Sequence, residues 1–123
     1  MTYLAISIGA VLGANARFLL SGWVADRLGA AFPYGTLLIN VSGSFLIGLI
    51  VALLTRQPEA PDWIRPALVI GVLGSYTTFS TFSSETLGLI NAGDLVGAGA
   101  NIVASVGLAL VAVYLGTLVA GLA

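Results

Sequence analysis

Four long apolar stretches take up most of this chain and constrain its fold more than any other feature. We place them at Tyr3 to Trp23, Gly35 to Thr55, Ile64 to Asn91 and Leu95 to Leu122. Each is long enough to cross the hydrocarbon core of a bilayer, which takes about 20 helical residues. Only 7% of the 123 residues are charged, whereas a soluble domain has about 25%. The sequence therefore predicts an all-α, multi-pass membrane protein, with residues 1–123 forming a single four-helix transmembrane domain in the inner or plasma membrane.

The residues that the chain lacks exclude several function classes. It has no cysteine and no histidine, and its four basic residues are all arginine. The commonest general base, the thiolate nucleophile and the usual transition-metal ligands are therefore missing, so we do not expect an enzyme. The net charge of −1 provides no basic patch for nucleic acid.

The third apolar stretch is too long for a simple membrane crossing. From Ile64 to Asn91 it would run about 42 Å as a straight helix, against a hydrocarbon core of about 30 Å. Gly71 and Gly74 lie near its middle, just before the hydroxyl-rich segment 75–84. We interpret it as a helix interrupted near its middle, which requires protein or a cavity to satisfy the freed backbone groups. A tilted, continuous helix whose hydroxyls bond to carbonyls one turn earlier is the alternative.

The arginines divide equally between the two sides of the membrane. Arg56 and Arg65 lie on the same side as the N-terminus, while Arg27 and Arg17 approach the other side. Because an excess of arginine and lysine sets orientation, an equal split permits insertion in both orientations and hence an antiparallel dimer. We expect Arg17 near the end of the first helix in a structural role, with a positive field at an anion entrance as the alternative.

Each of three apolar stretches contains a polar track. Asn40 lies within the second stretch, and Asn101 and Ser105 lie one helical turn apart on the fourth. On the third stretch, Phe79 and Phe82 share a helix face because they are three residues apart. Buried amides and hydroxyls can hold helices together or line a passage. The positive edge of an aromatic ring can stabilise a small anion, although packing against neighbours is the simpler role for the rings.

Three segments together are characteristic of a known family. They are GANARF at residues 13–18, GTLLINVSGSFLIG at 35–48 and GVLGSYTTFSTFS at 71–83. The chain resembles the Fluc (CrcB) fluoride channel family in these segments and in the order and length of all four spans. The resemblance implies a four-helix subunit that pairs antiparallel with its twin, with two fluoride paths in each homodimer.

The resemblance also implies roles for individual residues. Two rings and an amide would line the fluoride pore, hydroxyl residues of the third span would lie near it, and two polar residues would continue the track on the fourth span. The residues that would line the pore are Phe79, Phe82 and Asn40. The hydroxyl residues near it are Thr78, Ser80 and Thr81, and the polar residues of the fourth span are Asn101 and Ser105. The backbone carbonyls of Gly74 and Ser75 match the break that holds a structural Na⁺ at the dimer interface.

The resemblance implies passive export of fluoride from the cytoplasm. A selective path must replace the water around this small anion with several donors, while a fixed cation inside it would slow release. A small proton-coupled multidrug-type transporter is the alternative, but it requires a membrane-embedded carboxylate, for which Glu85 is the sole candidate. Glu85 would otherwise be a solvated residue at the pore mouth. A non-transporting subunit of a larger assembly is a further alternative.

Overall fold

The chain folds into helices joined by short connectors. The computed structural model describes residues 1–122, which contain no strand. The helices are α1 (Thr2–Leu28), α2 (Tyr34–Thr55), a π-helix (Pro66–Leu73) that continues into the short α3 (Gly74–Tyr76), α4 (Phe79–Asn91) and α5 (Leu95–Gly121). The all-helical architecture with four spans is therefore confirmed.

The third span is interrupted, as predicted. Three helices, α1, α2 and α5, are long and apolar enough to cross a membrane, whereas the third span is divided into the π-helix, α3 and α4. The interruption consists of two extended residues, Thr77 (φ −78°, ψ 159°) and Thr78 (φ −154°, ψ 119°), which we call the break. The continuous tilted helix is thus wrong, and Gly74 itself keeps helical dihedrals, φ −64° and ψ −32°.

The first helix extends past its predicted end at Trp23. It continues to Leu28 and ends at Gly29, whose φ of 77° stops the helix while its N–H donates to the Ala25 carbonyl. Arg17 therefore lies about three turns before the end of α1, so the prediction of a position near the helix end is wrong. Hydropathy marks where the apolar run stops, but a helix can continue into the headgroup region until a residue such as glycine terminates it.

Glycines let the backbones of neighbouring spans approach closely. A Cβ atom on Gly13 of α1 would overlap the Val72 carbonyl oxygen of the π-helix, and a Cβ on Gly9 would lie 2.5 Å from the Ala67 carbonyl oxygen. Small residues at helix contacts are the usual means of tight packing in lipid, where apolar side chains gain little by leaving the solvent. These contacts hold the first half of the third span against α1.

The most extensive helix contact joins α2 and α5. A Cβ on Gly48 would overlap the Val113 carbonyl oxygen, and one on Gly116 would overlap the Phe45 carbonyl oxygen. Near the end of this helix pair, the Arg56 Nη1 donates to the Ala120 carbonyl at 2.6 Å and satisfies an acceptor in the last turn of α5. The break lies against α2 of this closely packed pair.

Candidate functional site

The break passes over α2 at a glycine. A Cβ on Gly43 would overlap the Thr77 methyl group and lie 3.2 Å from the Tyr76 ring. Any larger residue at position 43 would therefore push the extended segment away from α2. The absence of a side chain at Gly43 lets the break lie close to α2, within reach of two hydrogen-bonding residues in the preceding turn.

Asn40 holds the break by a reciprocal pair of hydrogen bonds, the Asn40–Thr78 pair. Its Nδ2 donates to the Thr78 carbonyl at 3.0 Å, and its Oδ1 accepts from the Thr78 N–H at 2.8 Å. The N–H and the carbonyl of Thr78, which have no partner within a helix, are thereby both hydrogen-bonded. This stabilises the break, because a buried polar group without a partner costs about 1–3 kcal/mol. The carboxamide keeps one N–H outside this pair.

A third hydrogen bond ties Tyr76, the residue just before the break, to α2. Its hydroxyl lies 2.9 Å from the Ser42 Oγ. Because Ser42 Oγ donates to the Leu38 carbonyl at 2.7 Å, Tyr76 is the donor to Ser42. Asn40 and Ser42 both lie within one turn before Gly43 on α2, so one bonds to the break itself and the other to the residue just before it.

Thr78 also begins the helix that follows the break. Its Oγ1 accepts from the Thr81 N–H at 3.2 Å and lies 2.9 Å from the Thr81 Oγ1, to which it donates. This is the usual N-cap arrangement, in which a side-chain oxygen satisfies an unpaired N–H of the first turn. The Ser80 Oγ lies 3.4 Å from the same Thr78 oxygen. Thr81 and Ser80 are exposed, while Thr78 is buried.

The two rings of α4 lie together but differ in exposure. The centroids of Phe79 and Phe82 are 5.5 Å apart with planes tilted by 46°. Phe79 is 77% exposed, whereas Phe82 is 9% exposed. The predicted shared face is therefore real, and the pair extends from the protein interior to an open surface.

A chain of hydrogen bonds connects α5 to α4 behind the rings. Ser105 Oγ donates to Asn101 Oδ1 at 3.2 Å, and Asn101 Nδ2 donates to Thr86 Oγ1 at 2.9 Å. Thr86 in turn donates to the Phe82 carbonyl at 2.7 Å. The sequence interpretation missed Thr86, although its place four residues after Phe82 puts it on the same helix face.

These elements line an open cavity of about 440 Å³ beside the break, the break cavity. Of the eight residues predicted for the pore, three do not line it: Ser80, Thr81 and Asn101. No charged side chain lines it. The predicted pore residues along its wall are Asn40, Thr78, Phe79, Phe82 and Ser105. A small hydrogen-bonding surface is thus placed beside aromatic rings in an otherwise apolar cavity.

Glu85 lies outside the break cavity. Its Oε1 accepts from Thr36 Oγ1 at 2.8 Å, while its Oε2 is buried without a hydrogen-bond partner among residues 1–122. It lines a separate cavity of about 380 Å³ next to the connector between α1 and α2. Thr36 is a second hydroxyl that the sequence interpretation missed.

The break also leaves backbone carbonyls without their helical donors. In a continuous helix the Thr78 N–H would donate to the Gly74 carbonyl, but here it donates to Asn40. Gly74 is exposed and Ser75 is partly exposed. Within the described part of the chain, no group of three or more acidic, histidine or cysteine residues could hold a metal ion.

Arg17 is half-buried on α1. Its guanidinium has no hydrogen-bond partner among residues 1–122, so its structural role stays a prediction.

Together these features define a small, multi-pass helical membrane protein whose third span is broken beside a cavity lined by aromatic rings and hydrogen-bonding groups. The chain belongs to the CrcB-like protein, Camphor Resistance (CrcB) family, whose model matches residues 4–117. The match includes every residue that lines the break cavity.

Similar proteins from three organisms are all named fluoride-specific ion channel FluC. The protein of Roseiflexus sp. (strain RS-1) is 47% identical over 120 residues, which cover 98% of this chain and 97% of that protein. The protein of Geobacter metallireducens is 47% identical over 120 residues, with the same two coverages. The protein of Methylocella silvestris is 48% identical over 122 residues, covering 98% of this chain and 93% of that protein.

Proposed function

We propose that this chain forms a passive, fluoride-selective channel whose path runs through the break cavity. The observation that carries the proposal is the meeting of two phenylalanine rings with Asn40, Thr78 and Ser105 in one cavity without a charged side chain. The names of the similar proteins support fluoride as the ion. The chain resembles channels rather than enzymes. A channel of this kind has only to bind fluoride and release it.

The path must replace the hydration shell of fluoride and still let the ion leave. The second N–H of Asn40 is a donor outside the Asn40–Thr78 pair. The hydroxyls of Thr78 and Ser105 donate to other side chains, but a hydroxyl proton rotates and can turn to an arriving anion. The edges of Phe79 and Phe82 add weaker positive ends. With no fixed cation in the cavity wall, the ion is held weakly enough to move on.

The functional unit in this proposal is an antiparallel homodimer with two pores. The exposure of Phe79, at 77%, supports it, because one subunit leaves this ring of the break cavity uncovered. A second copy packed against the break side would close the cavity and contribute to both paths. The equal division of arginines between the membrane sides is compatible with insertion in both orientations.

A structural Na⁺ at the dimer interface fits the groups at the break. The exposed Gly74 carbonyl has lost the Thr78 N–H as its helical donor, and Gly74 and Ser75 of two subunits would supply four carbonyl oxygens. Hard cations prefer oxygen ligands of this kind. Bound Na⁺ would hold the two interrupted spans together, while Asn40 and Tyr76 hold each break against its own α2.

The experiment that tests this function is ion release from liposomes that contain the purified protein. Liposomes loaded with equal fluoride and chloride should release fluoride rapidly and chloride negligibly. Equal rates for the two anions would contradict selectivity, and no release of either would contradict a channel. The proton-coupled transporter is not favoured, because Glu85, its one candidate carboxylate, lies outside the break cavity; drug uptake driven by a proton gradient and lost in Glu85→Gln would reverse that conclusion.

A further inference from the structure

A second groove lies at the junction of α1 and α2, away from the break. Its volume is about 450 Å³. Trp23, Arg27 and Tyr34 surround one end of it, and Leu37, Val41 and Leu108 are among the apolar residues along the rest. We call it the Arg27 groove. It combines one cationic group with a long apolar floor.

The Arg27 groove opens on the face of α2 that is opposite the break. Val41 lines the groove, while Gly43 lies against the break. Two residues along an α-helix are separated by about 200°, so these two positions point in nearly opposite directions. A dimer that packs through the break side therefore leaves the groove in contact with lipid.

The cationic end of the groove lies at the level of the lipid headgroups. The helix α1 (Thr2–Leu28) is about 40 Å long, about 10 Å more than the hydrocarbon core, and Arg27 is in its last turn. Trp23 and Tyr34 are 55% and 44% exposed. Tryptophan and tyrosine in such positions typically mark the membrane interface.

Arg27 is available for an anionic ligand. Its guanidinium carbon lies 5.4 Å from the centroid of the Trp23 ring, and in the described chain it forms no ion pair with a carboxylate. The neighbouring Asp26 does not line the groove. An arginine fork binds phosphate oxygens with good geometry, and a ring beneath it restricts the orientation of the fork.

We propose that the Arg27 groove is a binding site for one anionic phospholipid. The lipid phosphate bonds to Arg27 at the interface, and one acyl chain lies along Leu37, Val41 and Leu108. The charge complementarity at Arg27 favours an anionic headgroup, and the apolar floor suits a chain that has no hydrogen bonds to satisfy. In an antiparallel dimer, each leaflet would hold one such site.

Trp23 provides a direct probe of this site. The chain has two tryptophans, so Trp63→Phe leaves Trp23 as the only one. We would reconstitute this variant in phosphatidylcholine vesicles with about 10% of the lipid as brominated phosphatidylglycerol, or with the same fraction as brominated phosphatidylcholine. A preference of about fivefold per arginine near the interface would raise occupancy from about a tenth to about a third. Brominated phosphatidylglycerol should therefore quench Trp23 about three times as strongly.

Variants of arginine separate a specific site from general attraction to charge. In the Trp63→Phe background, Arg27→Ala should make the two brominated lipids quench equally, Arg27→Lys should keep part of the preference, and Arg65→Ala is the matched control that should keep all of it. Equal quenching in the parent, or a preference that survives Arg27→Ala, overturns the proposal. Fluoride release from the same vesicles reports independently on the channel, so the two proposals can fail separately.

Discussion

Asn40 and Thr78 are joined by two hydrogen bonds of opposite direction, so that one side chain satisfies both the N–H and the carbonyl of an interrupted backbone. The residue that the sequence indicates as a pore-facing amide therefore also holds the pore-forming segment in place. Its effect on ion flux and its effect on the fold have to be separated by experiment.

Asn40→Ala is expected to lower the free energy of unfolding by about 2–6 kcal/mol. Two hydrogen bonds are lost and two buried backbone groups are left unpaired, at about 1–3 kcal/mol each. Thermal unfolding in detergent measures the effect. Asn15→Ala is the control, because the Asn15 amide is exposed and bonds only to the Val11 carbonyl of its own helix. Equal effects of the two substitutions would contradict the account of the Asn40–Thr78 pair.

Gly43→Ala is expected to displace the break and reduce fluoride release. The added methyl would overlap the Thr77 methyl group, and overpacking of this kind costs about 1–3 kcal/mol. Gly107→Ala should instead be neutral or stabilising by up to about 1 kcal/mol, because no atom lies within 4 Å of the added group. Melting temperature and fluoride release of both variants test the prediction, which fails if Gly43→Ala behaves like Gly107→Ala.

Thr86→Val is expected to destabilise the contact between α4 and α5 by about 1–3 kcal/mol. The substitution keeps the shape of the side chain but removes the acceptor for Asn101 Nδ2, and Asn101 is only 1% exposed. Thr117→Val removes an exposed hydroxyl that bonds to its own helix at Val113 and should change stability little. Urea or thermal unfolding compares them, and a neutral Thr86→Val would show that the hydrogen-bond chain contributes nothing.

The spans and the interruption could be predicted from sequence because they depend on local properties. Hydropathy locates an apolar run, and a run too long for the bilayer must tilt or break. The break follows Gly74 by a few residues, because its position depends on where Gly43 of α2 leaves room. The end of α1 was missed because Gly29, beyond the apolar run, terminates it.

The partners within the site could not be predicted from sequence in the same way. Thr86 meets Asn101, and Thr36 meets Glu85, only after α4 has crossed α5 and α2. Such pairs depend on the crossing of helices that are distant in sequence. The same dependence explains why Asn101 is found behind the rings rather than in the wall of the break cavity.

Substituting the two phenylalanine rings of α4 shows whether they line an anion path or only pack against their neighbours. Phe79→Ile and Phe82→Ile keep apolar side chains and should cost under about 1.5 kcal/mol of stability, while they remove the positive ring edges. Phe45→Ile is the control, since Phe45 lies on α2 with its backbone carbonyl against Gly116 of α5 and does not line the break cavity.

The most direct test of the central claim, that fluoride passes the rings in the break cavity, is fluoride release from liposomes per folded dimer of each ring variant. We expect Phe79→Ile and Phe82→Ile to slow release at least about tenfold, which corresponds to about 1.4 kcal/mol of barrier, and Phe45→Ile to match the parent. If both ring variants purify as dimers and release fluoride as fast as the parent, the path does not run along these rings.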